Sequence, residues 1–445
     1  MGFLIEKYPQ ITETSKFLLA IKETPKLTKV YNFRSLFFLS IVLFLSFLII
    51  FLLSSTKLSS TGLFSKYSII FEMDIPRVMM DMTSALSAHD RTHVHPLYVL
   101  MVNPFGSFLI ALFKQRVISA VILSSILGAW GVQLALLVTW LLTKDLWKST
   151  ILAAIFGFSS SQFFLTIIPD TASLAVCSIA ITFILFIVSI RKKHINGVAW
   201  LLAGLFTLGV TITNFAQTMI CYSILVLSFG INRNNIFKIV RYFFSVLFVA
   251  ILLSLIQKQI YPSSILFFLP NAYQEEQNYL STLLFSQPWR VLLQVFRSFL
   301  LDNFVAPIPV TFYGMNNSLP YLTFTRASTY LPFGVVALIL WISFLLPTWF
   351  HVSKSSENRL FLLGVGLSLL FNFFLHLFYG ATSLQPNHIE LFLYTGNVTI
   401  LVLMVFAVYL GSSRKTWLLI AVATFLFFLS VNNLLILNRI ISLYQ

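Results

Sequence analysis

Apolar runs separated by short polar breaks fill the chain from residue 36 to residue 434. Eleven of them lie near residues 36–54, 117–142, 149–168, 171–190, 198–213, 216–230, 239–257, 331–350, 360–378, 392–410 and 416–434. Each comes close to the roughly 20 residues that crossing a bilayer core requires. The pattern predicts an all-α polytopic membrane protein with about 11 transmembrane helices. A further apolar run, Leu97 to Phe113, is shorter, contains Asn103, Pro104 and Gly106, and ends against Lys114 and Arg116. It predicts a helix lying on the membrane surface rather than a span. Two long stretches of mixed polarity, 55–116 and 258–330, read as loops. The chain therefore divides into a tail (1–35), a transmembrane domain (36–434) and a carboxyl-terminal tail (435–445).

Composition sharpens this. The chain is 58% hydrophobic and 10% charged, whereas ordinary soluble domains carry about 25% charged residues; no soluble core hides that much apolar surface. The first 33 residues are polar and basic, without an apolar region and small-residue cleavage site, which predicts a cytoplasmic tail rather than a removable leader. Cys177 and Cys221 both fall inside apolar runs, where cysteine behaves as a small hydrophobe, so neither a disulfide nor a cysteine metal site is expected.

The placement of charge matters more than its sum of +15. With the amino terminus inside, the short inner connections carry Lys144, Lys148, Arg191, Lys192, Lys193, Arg233, Lys238, Arg241, Lys354, Arg359, Arg414 and Lys415. The short outer turns, near 169, 214 and 380–391, carry no Lys or Arg. This is the positive-inside pattern, and it accounts for the basic balance with a lipid bilayer as partner and no nucleic acid. It predicts a multi-pass protein of the cell membrane with both long loops outside. The acids Glu72, Asp74, Asp81, Asp90, Asp170, Glu275, Glu276, Asp302 and Glu390 share that side, so the chemistry is expected to face outward. No internal repeat is visible, which weakens a transporter built from inverted halves.

In the first loop, Asp74 and Pro76 suit a helix start. Continued as a helix, Asp74, Arg77, Asp81 and Ser84 share one face, and Val78, Met79, Met82 and Leu86 another. That is an amphipathic helix suited to the membrane interface, with a polar stripe free to face a cavity. Next comes "HDRTHVHP", His89 to Pro96, holding three of the seven histidines. A divalent metal on His89, His93 and His95 is one reading of it, but the spacing is not specific; hydrogen bonding or phosphate contact is preferred, and no metal or other cofactor is assigned.

An Asp shortly after the first span, an interfacial helix, and a His-Pro pair leading into a second amphipathic stretch together resemble the GT-C glycosyltransferases, in particular the protein mannosyltransferase and aminoarabinose transferase branch. Here these elements are Asp74, "RVMMDMTSALSA" and "HPLYVL". The resemblance extends to "GFSSSQFFLTIIPDTASLAV", with Pro169 and Asp170 in a short outer turn, and to "NFFLHLFYG" and "LFLYT", where His376 and Tyr379 finish a helix. It departs from the mannosyltransferase branch at Ile75, which follows Asp74 where that branch has an Asp-Glu pair.

The resemblance implies a glycosyltransferase that moves a sugar from a polyprenyl-phosphate donor to a lipid, glycan or protein acceptor on the extracytoplasmic face, with inversion. A hydroxyl becomes a competent nucleophile when a carboxylate takes its proton in the transition state, and Asp74 is the residue expected to do so. The leaving phosphate needs positive donors: Arg91, His95, Arg77, His93 and the distant Arg326 are expected there, with His376 and Tyr379 as further substrate contacts. Asp81 is expected to orient an Arg or a His. Blander roles stand beside these: Asp170 as a helix cap, His376 as a satisfied buried histidine, Asn214 as a turn residue, and Trp289 with Arg290 as the start of an interfacial helix. No Walker loop, HExxH or GxSxG is present. Two other functions compete: a transporter or flippase, and a lipid-linked oligosaccharide ligase or polymerase.

Overall fold

The computed structural model describes residues 33–67, 69–313, 320–354, 358–380 and 389–445. The basic tail through residue 32, residues 381–388 of one expected outer turn, and Asn316 to Ser318, a weak glycosylation signal, lie outside the described residues. The chain is an all-α polytopic membrane protein. Among the described residues seven helices are long and apolar enough to cross a bilayer, or eight if one bent pair counts as a span.

In order, α1 (Phe33–Ser59), α2 (Ile75–Thr83), α3 (Tyr98–Phe113), α4 (Arg116–Thr143), α5 (Leu146–Phe158), α6 (Ser160–Ile167) and α7 (Ala172–Lys192) make up the first half. Then follow α8 (Gly197–Val210), α9 (Asn214–Leu227), α10 (Arg233–Ile260), α11 (Pro288–Arg297), α12 (Pro332–Lys354), α13 (Arg359–Phe378), α14 (Gly396–Ser412) and α15 (Thr416–Tyr444). Three of the eleven expected spans are the short apolar helices α8, α9 and α14. The 14 residues of α8 measure about 21 Å at the α-helical rise, against a hydrocarbon core of about 30 Å. α15 runs on to Tyr444, so residues 435–444 of the expected tail continue this helix.

α4 and α7 are the centre: 72% of the most apolar stretch of each is buried, against 17% in α1 and 39% in α13. α4 earns that position with small residues, which let helix backbones approach closely. At Gly128 a Cβ would fall 2.0 Å from Cγ2 of Thr166 on α6.

The expected span at 149–168 is broken. α5 and α6 meet at 55° across Ser159. The backbone N–H groups of Ser160 and Ser161 donate to the carbonyls of Phe304 (2.7 Å) and Asn303 (3.0 Å) in the second long loop. Two asparagines of α15 complete the joint. Asn433 accepts from Ala306 N and donates to the Phe158 and Phe304 carbonyls, and Asn432 donates to Ala306 O. Irregular backbone inside a membrane domain persists only where protein satisfies its polar groups, and Phe304, Val305 and Ala306 are fully buried. The loop 258–330 therefore does not merely cover the bundle; its middle inserts into it. It also carries a small antiparallel hairpin, β1 (Val310–Tyr313) with β2 (Pro320–Thr323), registered Val310 to Thr323 and Tyr313 to Pro320.

Candidate functional site

The site is organised around the turn that precedes α2. Ile70 accepts from Met73 N at 2.9 Å, and both central residues, Phe71 (φ 50) and Glu72 (φ 57), are left-handed. Non-glycine residues hold that conformation at a cost of about 1–3 kcal/mol each and need surroundings that over-determine it. Here Phe71 packs on Phe324 and Phe392, with ring centroids 4.7 and 4.6 Å away, and its N–H donates to Leu322 O at 2.9 Å. Three of the chain's 47 phenylalanines thus anchor a strained turn, and that turn carries Glu72 and Asp74 to a single cavity.

α2 begins at Ile75 with Pro76 in its first turn, as the sequence predicts, but the Asp74 side chain makes no capping bond. It pairs instead with Arg77 (Nε to Oδ2, 3.3 Å), which also reaches Asp81 (Nη1 to Oδ2, 3.1 Å). Asp81 is buried and further accepts from Ser87 and His89, both at 2.8 Å. It orients Arg77 from behind and does not line the cavity. The helix stops at Thr83, shorter than the sequence pattern implies, so Leu86 is 94% exposed instead of continuing the apolar face of Val78, Met79 and Met82.

The cavity, about 1040 Å3 including its open mouth, is lined by Glu72, Asp74, Arg77, Arg91, His95, Asp170, Tyr279, His376, Tyr379, Tyr394 and Asn397 among others. Of the expected site residues, Asp74, Arg77, Arg91, His95, His376 and Tyr379 meet there. His93 and Asp81 stand one layer behind. Arg326 does not line the cavity, and its guanidinium lies 5.3 Å from the centroid of the Phe312 ring in β1. Arg326 thus stands beside the hairpin, apart from the described residues that line the cavity with Asp74.

Glu276, in the second loop, ties the second layer together. Its carboxylate pairs with Arg91, accepts from Tyr379 OH at 2.5 Å, and lies 3.1 Å from His93 Nε2. Burial opposes its charge, but the His93 hydrogen bond and the Arg91 guanidinium outweigh that and hold its pKa at about 2. Arg91 also lies over the Tyr279 ring, 5.3 Å from its centroid, a cation–π contact.

His95 is half-buried in the cavity wall, and burial followed by the charges of Arg91 and Arg77 lowers its pKa to about 3, so it is neutral. Its Nδ1 donates to the Val210 carbonyl at 2.7 Å, which leaves Nε2 as a lone-pair acceptor. That tautomer suits a substrate hydroxyl better than a phosphate oxygen, which needs a donor. Asp170, one residue before the Thr171 N-cap of α7, accepts from Ala172 N through Oδ1 at 3.0 Å and also lines the cavity. Burial raises its pKa above the usual carboxylate value. His376 stacks on Tyr394, centroids 4.4 Å apart, and forms part of the cavity wall.

The histidines of "HDRTHVHP" do not converge. His89 turns to Asp81, His93 to the Asp90 carbonyl and Glu276, and His95 to Val210. Among the described residues no group of three or more His, Cys, Asp or Glu is arranged to hold a metal ion.

Sequence pattern does not single out Glu72, Glu276, Tyr279 or Tyr394. The nearest signal is the outer-side clustering of acids, which includes Glu72 and Glu276 without ranking them. Glu72, two positions upstream of Asp74, and Asp170 line the cavity with it.

Chemically, the cavity offers a carboxylate open to solvent, two guanidinium groups, a neutral imidazole and a tyrosine wall. Comparison with protein-family models, with curated proteins and with solved structures returns no match to this chain.

Proposed function

We propose that the protein is a membrane glycosyltransferase of GT-C type that moves a sugar from a polyprenyl-phosphate carrier to a hydroxyl acceptor on the extracytoplasmic face of the cell membrane. One observation carries this reading: a single cavity at one end of a membrane bundle joins the Asp74 carboxylate, whose side chain is 34% exposed, to Arg77 and Arg91. The acceptor hydroxyl attacks the anomeric carbon as Asp74 takes its proton, and the bond from that carbon to the phosphate oxygen breaks. The electron pair leaves on polyprenyl phosphate, where guanidinium groups compensate the developing charge. A single displacement of this kind inverts the anomeric centre. Neutral His95 accepts a hydrogen bond from a sugar or acceptor hydroxyl, and the tyrosines pack against the sugar ring.

A transport pathway is expected to place ionisable groups at mid-membrane depth. Residues 117–143 of α4, 172–190 of α7 and 396–412 of α14 carry no Asp, Glu, Lys or Arg, which favours transfer over transport.

The test is release of polyprenyl phosphate by the purified protein in lipid nanodiscs, supplied with a panel of polyprenyl-phosphate sugars and hydroxyl acceptors. Asp74→Asn is expected to lower the rate by about 10² or more while the protein stays folded and inserted. Transfer at the wild-type rate in that variant rejects Asp74 as the base.

A further inference from the structure

α11 in the second long loop divides its surface three ways. Val291 and Val295, four residues apart, are buried against the protein. Arg290, Gln294 and Arg297 form a second stripe at i, i+4 and i+7. Trp289, Leu293 and Phe296 form a third at the same spacing, and these large apolar side chains are 77%, 66% and 52% exposed. The two arginines differ. Arg290 is exposed, whereas Arg297 turns inward, donating from Nε to Asp302 at 2.8 Å and from Nη2 to the carbonyls of Phe324 and Thr325 at 3.3 and 3.4 Å.

α11 packs against α13, a helix long and apolar enough to cross a bilayer, whose last turn brings His376 to the Asp74 cavity. Leu363, Leu367, Leu370 and Phe374 make one exposed stripe along α13 at i, i+4, i+7 and i+11, a surface that lipid chains match. At the end of the helix Phe378 is also exposed, and its ring lies 6.2 Å from that of Phe285, an exposed residue just ahead of α11. The apolar edge of α11 thus begins where the exposed apolar face of α13 ends.

We propose that α11 docks in the lipid leaflet on the side of the Asp74 cavity, with Trp289, Leu293 and Phe296 among the lipid chains and Arg290 at the headgroups. Helices that lie in the interface bury an apolar face rich in Trp, Phe and Leu about 5–10 Å into the boundary between headgroups and acyl chains. A stable protein partner needs about 20–30 residues a side, and this edge, counted with Phe285, presents four large side chains. Residues 381–388, which follow α13 and lie outside the described residues, hold one large aliphatic side chain, Leu384, too little to cover those four. The docked helix continues the stretch that carries Glu276 and Tyr279. That stretch is tied to the end of α13 by Ser281 N to Phe378 O at 2.8 Å and Gly380 N to Tyr279 O at 2.9 Å, so a lipid contact lies next to the cavity wall. The inference stands or falls independently of the sugar-transfer reading.

The experiment places one nitrobenzoxadiazole fluorophore on L293C, W289C or R290C of the full chain in lipid nanodiscs. All three positions are exposed, so a cysteine there disturbs little packing, and Cys177 and Cys221 are buried and add little label. Emission from L293C and W289C is expected to be blue-shifted relative to R290C and to be lost when the lipids carry a nitroxide on the acyl chain, whereas iodide in the water quenches R290C more strongly than either. Iodide quenching of L293C and W289C equal to that of R290C puts the edge in water and overturns the proposal. Shielding of both from iodide and nitroxide alike overturns it in favour of a protein cover, from this chain or a second copy.

Discussion

Glu276 and Arg91 are 185 residues apart in the chain, yet their pairing positions one of the cavity's two guanidinium groups. The Glu276 pKa of about 2 lies below the usual 4.5. A depressed carboxylate contributes stability that is complete above its unfolded pKa and is lost as pH falls toward the folded one. Glu276→Gln keeps the shape and removes the charge. It is expected to flatten the pH dependence of the thermal midpoint between 4.5 and 2. It should also raise the donor KM roughly tenfold, the worth of one charge-assisted hydrogen bond, with a smaller change in kcat. A midpoint that falls with pH as steeply as in the wild type contradicts the role given to this carboxylate. Asp74, Arg77, Arg91 and His95, which line one cavity, can be grouped from the sequence because all four lie within one short segment. The sequence cannot name Glu276, whose partners Arg91, His93 and Tyr379 come from two stretches far from it in the chain.

Among the helices, α3 shows how local reading and packing diverge. Asn103, Pro104 and Gly106 look like weaknesses in an apolar run, yet the helix is continuous from Tyr98 to Phe113. Asn103 Nδ2 donates to the Asp81 carbonyl at 2.9 Å, near the end of α2, and Gly106 lets α2 approach so closely that a Cβ would sit 2.0 Å from the Met82 carbonyl oxygen. Its other side leaves Phe105, Phe108 and Leu112 exposed, fit for lipid. The polar and small residues are thus the seat of the helix that carries Arg77. Gly106→Ala must push backbone against backbone, so it is expected to cost about 1–3 kcal/mol and to reduce transfer without preventing insertion. Gly366→Ala on α13, where a Cβ meets nothing within 4 Å, serves as the control and should leave both unchanged. If Gly106→Ala matches that control in thermal midpoint and in transfer, the close crossing is not what holds α2.

For the molecule as a whole, the bundle has two chemically different ends: acids and arginines with tyrosines at the Asp74 cavity, and Lys144, Arg191 and Arg359 at the far ends of α4, α7 and α13. Which end faces out is testable because Cys177 and Cys221 are buried and contribute little background labelling. Leu86→Cys, at an exposed position next to the first site, is expected to react with a membrane-impermeant maleimide on intact cells. His194→Cys, exposed in the α7–α8 connection, should react only after permeabilisation. The reverse pattern would place the Asp74 cavity in the cytoplasm and remove an extracytoplasmic acceptor. Membrane class, the apolar helices and the segregation of basic loops were legible in the chain because bilayer burial and charge placement act on contiguous segments, whose composition can be read locally. The break at Ser159, the inserted loop, the exclusion of Arg326 and the Glu276 clasp were not. Each depends on which distant backbones approach closely enough to share a hydrogen bond, and on the left-handed turn at Phe71 and Glu72 that aims an acid inward; only the packed bundle sets those distances and directions.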